Sequence, residues 1–354
     1  MSRFLHPRYA GLEAYTPGEQ PRDRQYIKLN TNESPYPPAP AVLAALTEQD
    51  LADLRLYSDP EGTALRAKLA GLYGVEAAQV FLSNGSDDIL NFAFMAFGAD
   101  GAVFPALTYS FYPVFANLHG VAYETVPLRE DFTLDVAGMQ GKGKLTVFPN
   151  PNAPTGIALP LDQVEAIVAA NPDHVVVVDE AYVDFGADSA VPLLQKYENL
   201  LVVMTYSKSR SMAGARLGFA LGSRTLIQDL EKLKYSTNPY NVNRLTLKLG
   251  QAAVDSDGYF REKAREIMAT REKTAQALRA LGFTLPDSQA NFLFVAHPKV
   301  AGETLYRKCK EKGVLIRHFS DPAIAAYNRV TIGTPAEMEA FLAVVQTILK
   351  EEGA

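Results

Sequence analysis

The chain has 354 residues and is longer than a domain with a single hydrophobic core usually is, so two packed subdomains are expected. Hydrophobic residues make up 47% and charged residues 21%, a globular balance that excludes a disordered chain. The formal net charge is −6 and no run of basic residues occurs, which argues against nucleic-acid binding.

Segments that would direct the chain to a membrane or bind a metal are not recognisable in the sequence. Residues 1–21 lack the apolar run of a signal peptide, and no stretch of about 18 apolar residues follows. We therefore expect a cytoplasmic protein. The single cysteine, Cys309, excludes an internal disulfide and a thiolate cluster, and the five histidines lie far apart, so no metal site is predicted.

The first 40 residues are rich in proline, so they are predicted to be an arm that lies across another surface. From Thr63 to about Phe219, short β-rich runs alternate with helical patterns such as 85–97 and 160–170, as in an α/β domain. The predicted strands are 79–83, 101–105, 121–126, 144–148, 174–180, 199–207 and 216–222. Continuous apolar runs in two of them are typical of strands buried on both faces of a mainly parallel sheet.

After Tyr240 the pattern changes to that of a smaller α+β domain. An amphipathic helix is predicted over 257–281, because its apolar residues recur at helical spacing. It is followed by predicted strands 290–296, 313–319 and 328–334 and by a helix over 336–350. The predicted organisation is an arm (1–40), a large domain (41–245) and a small domain (246–354).

The most specific segment is TYSKSRSMAGARLGF (205–219), in which a lysine follows a predicted buried strand among small and hydroxylated residues. Lys208 would lie at the carboxyl end of its strand, where open α/β sheets bind ligands. A lysine amine in such a site can form an imine with an aldehyde. A lone lysine would more often lie in a surface loop, but the complete segment favours a site.

This segment resembles the lysine signature of fold-type I pyridoxal-phosphate (PLP) enzymes, in the form found in class II aminotransferases. The resemblance implies that Lys208 bonds to the cofactor aldehyde and that Ser207 and Arg216 bind the cofactor phosphate. It also implies an α/β fold, with a mainly parallel seven-stranded sheet flanked by helices and a smaller α+β domain.

A buried carboxylate is the second feature, because VVVVDEAY (175–182) places Asp179 at a strand end, where an unpaired charge would be costly. A carboxylate opposite the pyridine nitrogen keeps the PLP ring protonated, so the ring can accept the electrons released with the substrate Cα proton. The resemblance makes Asp179 this partner and Tyr182 a hydrogen-bond donor to the ring 3′ oxygen.

A turn between a strand and a helix, SNGSDDIL (83–90), is suited to a phosphate. Ser86 or Asp87 is predicted as the N-cap, and exposed N–H groups at a helix start favour a dianion. The resemblance implies that the backbone amides of Ser86 and Asp87 hold the cofactor phosphate. It also makes Tyr109, after the predicted strand 101–105, the aromatic residue that stacks on the ring.

The segment NPNAPTG (150–156) departs from the family loop NPxNPTG, whose asparagine before Pro-Thr-Gly bonds the ring 3′ oxygen. Ala153 occupies that position here. Two alternatives remain: Asn152 reaches the oxygen through a shifted loop, or Tyr182 makes the contact alone. We predict Asn152.

Three opening segments, 12–21, 27–40 and 57–70, are similar in order to those of histidinol-phosphate aminotransferases. The resemblance implies a homodimer in which Tyr57 reaches the cofactor phosphate of the partner subunit. It further implies that Tyr15 and Asn32 face the substrate.

Arg317 and Arg329 lie on two predicted strands of the small domain, and arginine is suited to bidentate capture of phosphate or carboxylate. Within the resemblance they form an anion pocket for histidinol phosphate and for glutamate. The implied reaction is ping-pong transfer of the amino group between histidinol phosphate and 2-oxoglutarate.

Alternatives on the same fold are an aromatic amino-acid aminotransferase and a threonine-phosphate decarboxylase. A PLP-binding transcription regulator would carry an added DNA-binding module, for which the arm before Leu29 is too short and too rich in proline.

Overall fold

The computed structural model describes residues 2–13 and 18–354. Within these ranges the chain forms twelve β-strands and eleven α-helices. The strands are Ile27–Lys28 (β1), Val80–Ser83 (β2), Ala102–Pro105 (β3), Tyr123–Val126 (β4), Leu145–Pro149 (β5), Val176–Asp179 (β6), Leu200–Thr205 (β7), Gly218–Gly222 (β8), Phe292–Ala296 (β9), Val314–Leu315 (β10), Arg317–His318 (β11) and Tyr327–Thr331 (β12). The helices are Pro40–Leu43 (α1), Glu48–Ala52 (α2), Thr63–Tyr73 (α3), Ser86–Phe97 (α4), Phe111–His119 (α5), Leu161–Ala169 (α6), Arg224–Thr237 (α7), Arg244–Asp255 (α8), Asp257–Ala280 (α9), Gly302–Glu311 (α10) and Pro335–Glu352 (α11).

The largest sheet has seven strands in the order β2-β8-β7-β6-β5-β3-β4, and only β8 runs antiparallel to its neighbours. Each of the seven predicted strands is present in it, which confirms the α/β fold with a mainly parallel sheet. Parallel neighbours need crossover connections, and α5 and α6 provide those from β3 to β4 and from β5 to β6.

The sheet is buried on both faces because its strands consist of apolar residues without polar alternation. Val176 and Val178 of β6 pack in one hydrophobic cluster, whereas Val177 packs in another on the opposite face. Helices α6 and α4 contribute to these two clusters respectively. Each fully buried valine contributes about 1.5–3 kcal/mol to the folded state, so this core is the main source of stability.

The second part of the chain forms a three-stranded antiparallel sheet in the order β11-β12-β9, next to α9, α10 and α11. The helix predicted over 257–281 is present as α9. Its residue Phe260 packs in a cluster of the large sheet, whereas Ala264 and Ile267 pack in the cluster of the small sheet. The same helix therefore contributes to both cores.

The segment predicted as one strand over 313–319 is divided in the structure into β10 and β11. β10 pairs in parallel with β1 of the arm, with Ile27 opposite Val314, and β11 pairs antiparallel with β12. The chain changes sheets at the buried residue Ile316. Apolar content predicted a strand here, but the identity of its two partners depends on the distant segments that meet it.

Residues 18–34 of the arm run between the two sheets and approach both. The Asn30 carbonyl accepts a hydrogen bond from Arg329 Nη2 at 3.1 Å, and the Thr31 carbonyl accepts one from Lys208 Nζ at 3.3 Å. In the described part of the chain, no helix combines the length and apolar character needed to cross a membrane.

Candidate active site

The candidate site lies at the carboxyl edge of the large sheet. β6 ends at Asp179, and β7 ends three residues before Lys208. These strands are adjacent and parallel, with Asp179 opposite Val203, so their ends emerge side by side. The start of the antiparallel strand β8 and the end of β2 reach the same edge. The edge therefore brings together residues that are up to about 130 positions apart in the sequence, a convergence expected at the ligand-binding end of an α/β sheet.

Asp179 is a buried carboxylate with an exposed fraction of 4%. Tyr112 Oη donates to its Oδ2 at 2.9 Å, and the Ala181 N–H donates to its Oδ1 at 3.2 Å. Burial raises the pKa of Asp179 to about 6, although both hydrogen bonds act in the opposite direction. A bound cation would stabilise the ionised form, so the site is suited to a positively charged ligand group.

Lys208 and Tyr182 lie next to each other near this carboxylate. The Lys208 amine is 5.7 Å from the centroid of the Tyr182 ring, and Lys208 and Asp179 attract each other electrostatically. Tyr182 is 8% exposed, and its ring packs edge-on against Phe292, with a centroid distance of 5.1 Å and an interplanar angle of 89°. An amine, a phenol and a buried carboxylate therefore share one end of the sheet.

The turn between β2 and α4 differs from its predicted capping. The helix begins at Ser86 and its N-cap is Gly85, so the prediction of Ser86 or Asp87 at the N-cap was wrong. Gly85 has a φ of +86°, which favours glycine, and a Cβ there would come within 2.6 Å of Arg216 Nη2. A Cβ on Gly218 would come within 2.5 Å of the Ser86 nitrogen. Both glycines are required for the close approach of β8 to this turn.

The close approach places a cation beside a helix N-terminus. Arg216 Nη2 donates to Asp87 Oδ2 at 3.2 Å, and Arg216 Nη1 donates to Ser207 Oγ at 3.4 Å. Tyr109 Oη donates to Asp87 Oδ1 at 2.8 Å. The glycine N-cap has no side chain to accept the first helical N–H groups, so the amides of Ser86 and Asp87 are available to an anion.

Asn152 makes its contacts within its own loop. Its Nδ2 donates to the Leu107 carbonyl at 3.1 Å and to Thr155 Oγ1 at 3.2 Å, so both amide hydrogens are used. These bonds favour the second sequence-based alternative, in which Tyr182 contacts a ring oxygen without Asn152. Ala153, which replaces the expected asparagine, packs in the same apolar cluster as Tyr182.

Comparison with known proteins agrees with this geometry. A sequence model of the aminotransferase class I and II family matches residues 24–345. This chain belongs to that family.

Individual relatives are similar to this aminotransferase over its full length. It is 48% identical to a histidinol-phosphate aminotransferase of Brachyspira hyodysenteriae, covering 99% of this chain and 100% of the relative. It is 49% identical to histidinol-phosphate aminotransferase 1 of Bordetella parapertussis, covering 98% and 99%. The crystal structure of the Sinorhizobium meliloti histidinol-phosphate aminotransferase in complex with pyridoxal-5′-phosphate superposes with a TM-score of 0.87 at 24% identity, covering 99% and 98%, which confirms the fold.

A cavity of about 700 Å³ adjoins the residues described above and lies between the arm, the large sheet and the small sheet. Its walls include Tyr109, Ala153, Glu19, Arg317 and Arg329. Arg317 on β11 lies directly opposite Arg329 on β12, so both sequence-predicted arginines reach one cavity. Two guanidinium groups in one concave surface are suited to a doubly charged anion.

Glu19 balances part of this positive charge and connects the arm to α10. Its carboxylate accepts a hydrogen bond from Tyr306 Oη at 2.6 Å and pairs with Lys310. Although burial alone would raise the pKa of Glu19, the Lys310 and Tyr306 hydrogen bonds and the charge of Arg317 lower it overall. Glu19 is therefore an anion in the wall of the cavity and attracts Arg317.

The remaining predicted residues are Tyr57, Asn32 and Tyr15. Tyr57 is 78% exposed, and its ring stacks on Tyr240 with a centroid distance of 4.4 Å, so it lies on the surface of its own subunit. Asn32 is 1% exposed and its side chain contacts Tyr182 and Thr331. Tyr15 lies outside the described residues.

Sequence reasoning missed Tyr112, Glu19 and Thr331. Tyr112 lies in the first turn of α5, three residues after Tyr109, whose carbonyl accepts the Tyr112 N–H at 3.2 Å, so closeness to a recognised site residue could have indicated it. Glu19 and Thr331 carried no such local signal, because each reaches the site through a segment distant in sequence.

Proposed function

We propose that this aminotransferase is a histidinol-phosphate aminotransferase that uses PLP. It moves the amino group between L-histidinol phosphate and 2-oxoglutarate, with imidazole-acetol phosphate and glutamate as the other partners. Relatives of that name are 48–49% identical over nearly the whole chain. The observation that carries the proposal within the site is the buried carboxylate of Asp179 beside the Lys208 amine.

The residues present fit PLP. Asp179 needs a cationic partner, and the pyridine nitrogen is one when protonated. The amides of Ser86 and Asp87, the Ser207 hydroxyl and the Arg216 guanidinium lie around one turn and fit the phosphate dianion. When bound, PLP supplies a ring that accepts the electrons released as the substrate loses its Cα proton.

These positions support the following roles for the side chains. Asp179 would hold the proton on the pyridine nitrogen, and the hydrogen bond from Tyr112 keeps its carboxylate oriented. Lys208 would anchor the cofactor through its amine, and the same Nζ would serve as the general base for the Cα proton. Tyr109 would cover one face of the ring, and Tyr182 would donate to the ring 3′ oxygen.

Arg317 and Arg329 would bind the anionic groups of both substrates. Histidinol phosphate presents a phosphate and glutamate a side-chain carboxylate, and the planar guanidinium can bind either in a bidentate manner. Both arginines line the same cavity of about 700 Å³, so one pocket serves the two half-reactions. Tyr15 would contact the substrate from the arm.

A homodimer would complete the site. Large apolar side chains are exposed along one segment: Leu43 (65%), Leu51 (54%), Leu54 (54%), Leu56 (44%) and Tyr57 (78%). Several exposed large apolar side chains in one short segment support an interface there. In the proposed dimer, Tyr57 reaches the cofactor phosphate of the partner subunit.

We further infer the domain boundaries 1–40, 41–245 and 246–354 and a cytoplasmic location. The two sheets support the division, because the large sheet uses residues 80–222 and the small antiparallel sheet uses residues 292–331.

The test is a spectrum of the purified holoenzyme. Adding histidinol phosphate should abolish the visible band of lysine-bound PLP, and 2-oxoglutarate should restore it. Borohydride reduction followed by peptide mapping should label Lys208 in wild-type protein and nothing in Lys208→Ala. A response to phenylalanine in place of histidinol phosphate, or carbon dioxide release from threonine phosphate, would contradict the substrate assignment.

A further inference from the structure

We propose that Asn32 is a positioning residue that fixes the direction of the Tyr182 hydroxyl proton. The inference rests on the proposed function, because the group that would receive this proton is the ring 3′ oxygen of PLP. It replaces the substrate contact that the resemblance implied for Asn32.

The side chain of Asn32 joins two hydroxyl groups. Its Nδ2 donates to Tyr182 Oη at 2.9 Å, and its Oδ1 accepts from Thr331 Oγ1 at 3.1 Å. The oxygen of Thr331 also accepts the backbone N–H of Asn32 at 2.9 Å. If the amide were reversed, the Thr331 hydroxyl would lose the acceptor that the described structure gives it. The amide orientation is therefore set by Thr331, and the N–H side faces Tyr182.

The backbone of Asn32 is fixed as firmly as its side chain. Its φ is +56°, in the left-handed region that asparagine tolerates better than most residues. Its carbonyl accepts a hydrogen bond from Asn291 Nδ2 at 3.0 Å. With an exposed fraction of 1%, the residue has little access to a ligand in the cavity. These contacts suit a residue that holds a neighbour in place.

A hydroxyl that accepts a hydrogen bond must place its own proton elsewhere. Packing against Phe292 fixes the Tyr182 ring, so rotation of the O–H bond is the remaining freedom of its hydroxyl. The bond from Asn32 restricts this rotation and leaves the Tyr182 proton to be donated. The Lys208 amine and the Asp179 carboxylate are charged groups near Tyr182, and in the described structure neither forms a hydrogen bond with Tyr182 Oη.

The restricted rotation of the Tyr182 hydroxyl matters because this chain lacks the asparagine that bonds the ring 3′ oxygen in the family loop. Ala153 has no polar side chain, and both Nδ2 hydrogens of Asn152 are used within the loop. Tyr182 would thus be the donor on which the 3′ oxygen depends. If the Tyr182 hydroxyl proton is already directed away from Asn32, the hydroxyl does not have to reorient when it donates to that oxygen.

The test compares Asn32→Asp and Asn32→Gly in the holoenzyme. Aspartate is nearly isosteric with asparagine, but its carboxylate accepts the Tyr182 proton and withdraws it from the ring oxygen. Glycine suits the positive φ and removes the amide, leaving the Tyr182 hydroxyl free to rotate. The measurement is the pH midpoint of the visible absorption band of lysine-bound PLP.

When the linkage between Lys208 and PLP loses its proton, a negative charge remains on the ring 3′ oxygen. A hydrogen-bond donor to that oxygen stabilises this charge. Losing that donor should move the midpoint of Asn32→Asp to higher pH by about one unit. Tyr182→Phe should show a shift of similar size, and Asn32→Gly a smaller one. The double variant Asn32→Gly/Tyr182→Phe, which adds no charge near the linkage, should not shift the midpoint further than Tyr182→Phe does.

Two outcomes would overturn the proposal: an Asn32→Asp midpoint equal to that of wild type, or additive shifts in the double variant. If Asn32→Asp does not bind PLP, a wild-type midpoint in Asn32→Gly would also overturn it. The wild-type band itself tests the proposed function, so failure there is distinguishable from failure of the role of Asn32.

Discussion

The proposed cofactor side and the proposed substrate side of the site differ in burial and in origin. Asp179, Tyr182 and Asn32 are at most 8% exposed and bonded to neighbouring side chains or amides. Arg317 and Arg329 are only partly buried and line an open cavity. The first group is centred on the edge of one sheet, whereas the second needs a strand pair of the small sheet and the arm.

The difference teaches that the two sides meet different requirements. A resident cofactor gains from groups that are already oriented, because no reorganisation is needed when charge develops. A substrate pocket that accepts two anions in turn gains from cations that water can reach and that can adjust. The following experiments test this contrast, beginning with the largest expected effect.

Asp179→Asn should have the largest effect, because a neutral amide cannot hold the proton on the pyridine nitrogen. We expect kcat to fall by roughly a hundredfold to a thousandfold. The matched control is Glu180→Gln, which changes the adjacent buried carboxylate, whose oxygens accept from Ser189 and from the Ala190 N–H at 2.6 Å. Steady-state rates measured at saturating substrate should separate the two variants. Equal losses would mean that burial alone, and not the position of Asp179, explains the effect.

Arg317→Lys and Arg329→Lys should act on substrate binding with little effect on the cofactor. Lysine keeps the charge but loses the bidentate geometry, so KM should rise about tenfold for histidinol phosphate and for glutamate. The visible band of bound PLP should not change in either variant. A rise in KM for only one of the two substrates would show that the arginines do not serve both half-reactions.

Glu180→Gln should also have a small, pH-dependent effect on stability. Burial raises the pKa of Glu180 from 4.5 to about 8 in the folded chain. Between these values the folded state holds a proton that the unfolded state releases. The contribution of Glu180 to the free energy of unfolding is therefore complete below about pH 4.5 and is lost as pH rises through about 8. Glutamine stays neutral and avoids the loss. Thermal unfolding should show a Tm advantage of a few degrees for the variant at pH 9, shrinking towards pH 6. A constant difference across this range would exclude titration of Glu180.

The sequence predicted the parts of the fold that depend on local pattern. The apolar run before Asp179 and the run before Lys208 require burial on both faces, which a parallel sheet covered by helices provides. Asp179 was found because it directly follows such a run, and Lys208 because it directly follows the predicted strand 199–207. The site roles inferred by resemblance remain predictions, which the experiments above test.

Other features depended on long-range contacts. Whether residues 313–319 form one strand or two depends on the arm and on β12, which lie far away in the sequence. The N-cap at Gly85 follows from the approach of Arg216 and Gly218, and the contacts of Asn32 follow from Thr331 and Tyr182.

Local pattern thus determined which segments are strands and helices and which residues carry reactive groups, because both follow from side-chain chemistry and spacing. Only the tertiary structure decided the partners of each polar group, because a hydrogen bond depends on the position and direction of two groups that the chain brings together from distant places.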